Sequence, residues 1–428
     1  MATDTSASEA SLTSHPLPRD EAGFRGACSA PLQPAGYAEP AVGRGQGESQ
    51  SVRSSTADNG NRQVAIVGGG PAGMALALAL KIHGVGSEIF EARERAAVRR
   101  DQRVLALSEG SRQILDWLGA WSGLSATAIE TIHISQRGGF GRTLLRASEL
   151  GLNSLGWVLP ARDLIVALDA AAAKAGIVYR ESARVMLSGI PGDGAGDTAN
   201  FSLTAWAEGM VEPGAGTRRD YGQHAVLCNV GMDGSHRNVA WERFTGEGPV
   251  ALLPLGEGYS VVLTCDDAIV DKVRALDDAA FLALLQKRFG NRHRFISATP
   301  RVAYPLGLRF RPHPVGARQV WLGNAAQTLH PVAGQGFNLA LRDIWELARQ
   351  LGASADPGTP EVLAGYARGR RADRHGAIAF TDLLIDGFAS DFAPLRHLRG
   401  AGLLALDLLP ELRGFVAKRM IYGARAWP

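Results

Sequence analysis

The sequence predicts an α/β fold, with a lobe built on a parallel sheet, a second β-sheet lobe inserted into it, and a helical C-terminal segment. Three observations carry this. A strand–glycine turn–helix–strand unit spans residues 63–91, a second strand–turn–helix unit spans 319–351, and an apolar stretch dotted with basic residues closes the chain over 395–428. Hydrophobic residues make up 46% and charged residues 20% of the 428 positions, the balance of a soluble globular protein.

Residues 1–62 come first and read as a tail. They are rich in Ala, Ser, Gly, Pro and Thr, and their large apolar residues are Leu12, Leu17, Phe24, Leu32 and Tyr37. Such a segment cannot bury enough surface to offset its chain entropy, so disorder is expected. Lys and Arg number 45 against 42 Asp and Glu, a net charge of +3. A nucleic-acid binder carries a larger and more clustered excess, so nucleic acid is not an expected partner. Cys28, Cys228 and Cys265 form no CxxC and no His/Cys cluster. That argues against disulfides and a metal site, and fits a reducing compartment. No apolar run approaches the ~18 residues of a membrane span, and the N-terminus has no basic-then-apolar signal, so the cytoplasm is the expected location.

Gln63–Val67 (QVAIV) has the β-branched profile of a buried parallel strand. It leads into Gly68, Gly70 and Gly73 of a G-x-G-x-x-G, then into a helix-forming run that ends at Gly84. A second short run, Ser87–Phe90, ends at Glu91, 18 residues past Gly73. Together these form a complete dinucleotide fingerprint. The glycines permit a tight turn and close backbone approach, and the helix N-terminus offers free N–H groups to a pyrophosphate. Glu91 can accept from both ribose hydroxyls, and its charge repels a 2′-phosphate, leaving FAD or NAD as the tightly held nucleotide.

The fingerprint does not separate these two; the distal half does. Gln319–Leu322 (QVWL) reads as a strand, followed by a small-residue turn, Pro331, Gly334-Gln335-Gly336 and a helix to about Leu351. A second helix start can set N–H groups and a positive dipole end against an anionic ring edge. Reduced flavin has such an edge and nicotinamide does not.

On these residues the chain resembles the single-component FAD-dependent aromatic hydroxylases related to para-hydroxybenzoate hydroxylase. Within them it resembles the ubiquinone-biosynthesis hydroxylases, and the 2-polyprenyl-6-methoxyphenol branch in particular. The stretches GNAAQTLHPVAGQGFNLALRD (323–343), RVLALSEGSRQILDWLGAW (103–121), RDYGQHAV (219–226), ERFTGEGPVALLPL (242–255) and the helical end carry the likeness, over nearly all of 63–428. The resemblance implies that Gly68, Gly70, Gly73 and Glu91 hold the ADP half of FAD and that Arg103 contacts the cofactor. It sets Gly323 and Asn324 at the ribityl or diphosphate region, with Asn324 where most of the group has Asp. It lines the isoalloxazine with Pro331, Gly334, Gln335, Gly336 and Asn338. It further implies that NAD(P)H reduces FAD transiently and that O2 reacts to give a C4a-hydroperoxyflavin. One oxygen atom then goes to a phenol ring, with no protein acid–base pair and no metal required.

Some features depart from that pattern or read more blandly. The group's middle Asp-Gly motif is matched in wording by Asp233-Gly234-Ser235 with Arg237, but in register by Ala207-Glu208-Gly209, which lacks the following Ser and Arg. Arg162 and Asp163 open a helix, where Asp163 complements the dipole. His330 reads as a structural loop histidine. The expected division is a tail over 1–62, an FAD-binding lobe from 63–170 and 300–365, a substrate lobe mainly over 171–299, and a helical segment over 366–428. That last segment carries Arg396, Arg399, Arg413, Lys418, Arg419 and Arg425 against Asp407 and Glu411, with Pro410 as a break. Such helices either lie on an anionic membrane or pack with a solvated charged face.

The leading expectation is hydroxylation of a lipid-tailed phenol in ubiquinone synthesis, the 2-polyprenyl-6-methoxyphenol step, with peripheral contact to the inner membrane or to ubiquinone-biosynthesis complex proteins. Hydroxylation at another ring carbon, action on a soluble aromatic, and a low-turnover flavin-holding subunit remain open at this point.

Overall fold

Continuous β-branched runs become the middle of a parallel sheet, because helices cover both faces. Gln63–Val67 is such a strand, buried from Val64 to Val67. It pairs in parallel with Gly86–Phe90 on one side and Leu203–Trp206 on the other. The computed structural model in which this is seen describes residues 62–185, 198, 200–330, 334–389 and 393–426. The tail expected over 1–62 (Arg62 apart), Cys28 and Pro331 lie outside the described residues.

The first sheet has six strands in the order Val315–Gly316, Gln319–Trp321, Leu203–Trp206, Gln63–Val67, Gly86–Phe90 and Val178–Arg180. Only the first pair is antiparallel. Helix Pro71–Ile82 is buried from Ala72 to Leu80. It packs against the helices Ala161–Lys174 and Gly336–Gly352.

The second sheet has nine strands. Its order is Gln327–Thr328, Val302–Phe310, Thr217–Met232, Gly258–Asp266, Val250–Leu255, Val239–Phe244, Thr131–Gln136 and Arg142–Arg146, with Phe295–Ala298 also on Thr217–Met232. All pairs are antiparallel except Val239–Phe244 with Thr131–Gln136. Successive side chains leave a strand on opposite faces. One face therefore packs on Phe281, Leu285 and Phe289 of helix Asp278–Phe289, and residues such as Ile132, Ile134, Ala240 and Leu253 face a cavity shared with the C-terminal helices. A small antiparallel sheet, Val104–Ser108, Gly156–Pro160 and Thr127–Ile129, completes the β structure.

The strands interleave more than the expected boundaries at 170/171 and 299/300. Thr131–Gln136, Arg142–Arg146 and Val302–Phe310 belong to the nine-stranded sheet, whereas Val178–Arg180 and Leu203–Trp206 belong to the six-stranded one. A strand's own apolar pattern records its burial but not its partner, and parallel pairing needs long crossovers that carry the chain between sheets. The helical end begins at Pro360, six residues before its expected start, as helix Pro360–Ala389, followed by Ala393–Leu408 and Pro410–Tyr422. Pro410 separates the last two as its missing N–H requires. No described helix is long and apolar enough to cross a membrane.

A buried ion cluster joins the helices Gly336–Gly352 and Pro360–Ala389. Arg342 Nε donates to Asp373 at 2.8 Å, and Arg370 bridges Asp343, at 2.6 Å, and Asp373. Gln327 donates to Asp343 and accepts from Arg374, both at 2.8 Å. All six side chains are nearly inaccessible. Burial pushes the Asp373 carboxyl up, but Arg342 and Arg370 outweigh it and hold it below the ordinary carboxylate range. The lowered value means that this stabilisation is complete above the ordinary carboxylate range and is lost as pH falls through the lowered value. Replacing Asp373 by Ala leaves the buried Arg342 without its carboxylate and Arg370 with Asp343 alone. The expected cost is about 3–5 kcal/mol, measured as a lower midpoint in urea unfolding.

Candidate functional site

The turn after Gln63–Val67 is shaped by what its glycines exclude. Gly68 has φ +108°, and a Cβ on Gly73 would stand 1.8 Å from the Gly68 carbonyl oxygen. Gly70 faces open space, with nothing within 4 Å of where its Cβ would be. The helix that follows has neither a side-chain cap nor an acidic residue in its first turn. Two other helices carry side-chain caps, with Ser108 accepting from Ser111 N–H and Asp277 from Ala280 N–H, and Ala161–Lys174, Val270–Ala275 and Pro410–Tyr422 lack a cap but hold an acid in the first turn. An uncapped, acid-free helix N-terminus behind a glycine turn can receive an anion.

Glu91 ends the second strand with no exposed surface. Its Oε2 accepts from Gly69 N–H at 2.8 Å, and its Oε1 accepts from Arg93 N–H at 3.0 Å and Arg93 Nε at 2.7 Å. Burial pushes this carboxyl up, but the bonds from Arg93 and Gly69 outweigh it and hold it below the ordinary range. Arg93 is 59% exposed, so it is the partner a ribose would displace to reach Glu91. Tyr179 lies against Gly69, its hydroxyl donating to the Gly69 carbonyl, with the Arg95 guanidinium over its ring. Ala207-Glu208-Gly209 reaches the same turn. The Ala207 N–H bonds Val67 O at 2.8 Å, and Glu208 stands against Gly68. Burial, with Glu91 adding, raises the Glu208 carboxyl. Arg93, Tyr179 and Arg95 escaped the sequence reading because no motif marks them. Glu208 was legible only as the in-register match.

The second unit meets the first. Gly323, at φ +56°, lies 3.6 Å by its Cβ position from Ala72 in the first helix, and Asn324 beside it is exposed. Helix Gly336–Gly352 also starts without a side-chain cap or an acid, from Gln335. Gly334 takes φ +58° against Ala106, and Gly336 faces open space. Asn338 locks this start. Its Oδ1 accepts from Ser108 N–H at 2.9 Å and Ser111 Oγ at 2.6 Å, and its Nδ2 donates to Ala106 O at 3.0 Å and Gly334 O at 2.6 Å. The amide is saturated, so Asn338 shapes the turn through protein contacts. Gln335 is held by Met420 O and Arg342.

Other candidates are exposed or paired within the protein. Arg103 is exposed and paired with Asp101. Arg162 is exposed and paired with Asp163. Asp233, Gly234 and Ser235 form an exposed turn joining Thr217–Met232 to Val239–Phe244, away from the in-register position held by Glu208. His330 is buried edge-on to Tyr221, and burial pushes it down to about 4, so it is neutral at pH 7.

Gly334 and Ala106 border two cavities. One of about 90 Å³ lies among Ala106, Ser108, Gly156, Gln335, Asn338 and Met420. The other, of about 520 Å³, runs from Gly334 and Ala106 across the apolar face of the nine-stranded sheet to the C-terminal helices, where Leu398 and Leu403 line it. The arrangement therefore sets two anion-receptive helix starts at one end and a large apolar chamber at the other.

The chain matches the FAD binding domain family over residues 61–209 and 216–381. It is 32% identical to the ubiquinone hydroxylase UbiL of Rhodospirillum rubrum, over 82% of this chain and 87% of that protein. It is 29% identical to the 3-demethoxyubiquinol 3-hydroxylase of Escherichia coli, over 81% and 94%. It is 27% identical to the human ubiquinone biosynthesis monooxygenase COQ6, over 82% and 90%. In fold it is similar to p-nitrophenol 4-monooxygenase PnpA of Pseudomonas putida, with TM-score 0.65 at 18% identity, over 85% of this chain and 98% of that one. The glycine turn yields a direct test. Gly73→Ala sets a methyl against the Gly68 carbonyl, and the purified variant is expected to lose nearly all FAD, read as visible flavin absorbance per chain.

Proposed function

Because the chain belongs to the FAD binding domain family and is an FAD-dependent monooxygenase, we propose that it hydroxylates the ring of a polyprenylated phenol in ubiquinone biosynthesis, with 2-polyprenyl-6-methoxyphenol as its substrate. The observation that carries this is the apolar chamber of about 520 Å³ opening from Gly334 and Ala106. That is the size of a site for a drug-sized ligand, roughly 300–1,000 Å³. A bare phenol leaves part of it empty, and its apolar lining suits an isoprenoid tail. The relatives named for ubiquinone hydroxylation support the same reading.

FAD, when bound, supplies the electron store and the site at which O2 is activated, with NAD(P)H as the transient reductant. In this reading Gly68, Gly70, Gly73 and Glu91 hold its ADP half, and Arg103, Gly323 and Asn324 follow the chain toward the ring. Gly334, Gln335 and Gly336 would border the ring, and Asn338 fixes their turn. The uncapped start of Gly336–Gly352 sets a positive dipole end where negative charge develops. Ile132, Leu145, Ala240 and Leu253 exclude water from the reacting ring.

The tail's way in lies at the helical end. Leu383 and Leu398 line the chamber and are each 67% exposed. Leu404, Leu408, Leu409, Leu412 and Phe415 are exposed on the neighbouring helices. With Lys418 and Arg419 among them, this face suits peripheral contact with an anionic membrane that supplies the lipid.

In a strain lacking the gene and grown in air, mass spectrometry of quinone intermediates is expected to show accumulated 2-polyprenyl-6-methoxyphenol. An unchanged pool, together with flavin turnover stimulated equally by tail-less phenols, would overturn the assignment. Leu403→Asp puts a carboxylate in the chamber wall. It is expected to raise KM for a long-tailed phenol by about tenfold or more, while a short-tailed phenol changes little.

A further inference from the structure

The chamber wall contains one carboxyl that no described residue answers. Strand register sets Thr143, Ile134, Glu242, Ala251 and Val262 in one row across five neighbouring strands, and all five line the chamber. Glu242 is flanked in that row by Ile134 and Ala251. Its Oε1 is buried with no hydrogen-bond partner among the described residues. Thr143 Oγ1 is likewise unpartnered, but it lies two strand spacings away, about 10 Å. The preceding residue, Trp241, gives its indole N–H to Tyr259. Burial pushes the Glu242 carboxyl up to about 8, with no charged neighbour contributing. At neutral pH the group is therefore largely protonated, able both to donate and to accept.

An unanswered carboxyl in an apolar wall costs free energy unless a ligand's polar group meets it. A tailed phenol brings few polar groups, and its hydroxyl is the one that both donates and accepts. Resting on the reading above, we propose that Glu242 is the hydrogen-bond partner of the substrate's phenolic hydroxyl. By holding that hydroxyl against the sheet it selects which ring carbon is turned toward Gly334 and Ala106, and so the position that is hydroxylated.

The test compares 2-farnesylphenol with its O-methyl ether on the FAD-loaded protein, reading affinity from the flavin absorbance change. Wild type is expected to prefer the phenol. Glu242→Leu should weaken phenol binding about 10- to 100-fold and leave the ether within about threefold, whereas Glu242→Gln keeps most of the preference. A Glu242→Leu protein with full FAD and an unchanged phenol-to-ether ratio sinks the proposal. Should Glu242→Leu fail to fold, wild type alone decides: equal affinity for phenol and ether overturns the role of Glu242. Binding of neither compound by the FAD-loaded wild type overturns the tailed-phenol reading itself.

Discussion

The geometry of the site rests on the buried ion cluster between the helices Gly336–Gly352 and Pro360–Ala389. Arg342, Asp343, Arg370 and Asp373 alternate in sign, and Gln327 and Arg374 close the cluster onto the nine-stranded sheet. Burying these charges is costly, and the cost is offset only while every partner is present. The cluster is therefore tolerant of no single loss, and it sets the axis of the Gly336–Gly352 helix. Arg342 also reaches Gln335 at 3.3 Å, and Asp373 accepts from Ala424 N–H at 3.0 Å. The same charges thus tie the helix start to the last turn of the described chain.

That anchoring explains how two helices can begin without caps. A bare N-terminus with no acid is locally unfavourable, and other helices offset it with a cap, as at Ser108 and Asp277, or with a first-turn acid, as at Asp163, Asp271 and Glu411. Pro71–Ile82 and Gly336–Gly352 have neither, and these are the two starts proposed to meet anionic groups of the flavin nucleotide. Local rules fail where function requires it. The stability is supplied from outside the first turn, by the buried run Ala72–Leu80 in one helix and by the saturated Asn338 amide in the other.

The nine-stranded sheet contributes through its two faces. One is an ordinary core against helix Asp278–Phe289. The other packs in part on the small sheet, where Ile129 and Val158 meet Ala240, and over the rest the C-terminal helices stand off far enough to leave the chamber. A hydrophobic pattern reads the same whether its partner is a side chain or a ligand, so Ile132, Ile134 and Leu253 looked like core. Glu242 was legible only as part of a family-like stretch, because one carboxyl in a strand ordinarily points to water.

By itself the sequence determined the local elements. Gln63–Val67, Gly86–Phe90 and Gln319–Trp321 form where β-branched runs demand strands, the helices start after the glycines, and Pro410 breaks the C-terminal helices. It determined the turn chemistry as well, because Gly68 and Gly73 answer constraints of backbone and contact within a few residues. Only the tertiary structure decided which strands share a sheet, that Arg93 covers Glu91, that Asn338 is filled by Ser108, Ser111, Ala106 and Gly334, and that Glu242 faces an apolar chamber. Backbone propensity and steric exclusion act between near neighbours and are written along the chain. Pairing, desolvation and hydrogen-bond satisfaction depend on residues as far apart as Ser108 and Asn338, and they exist only once the chain has closed on itself.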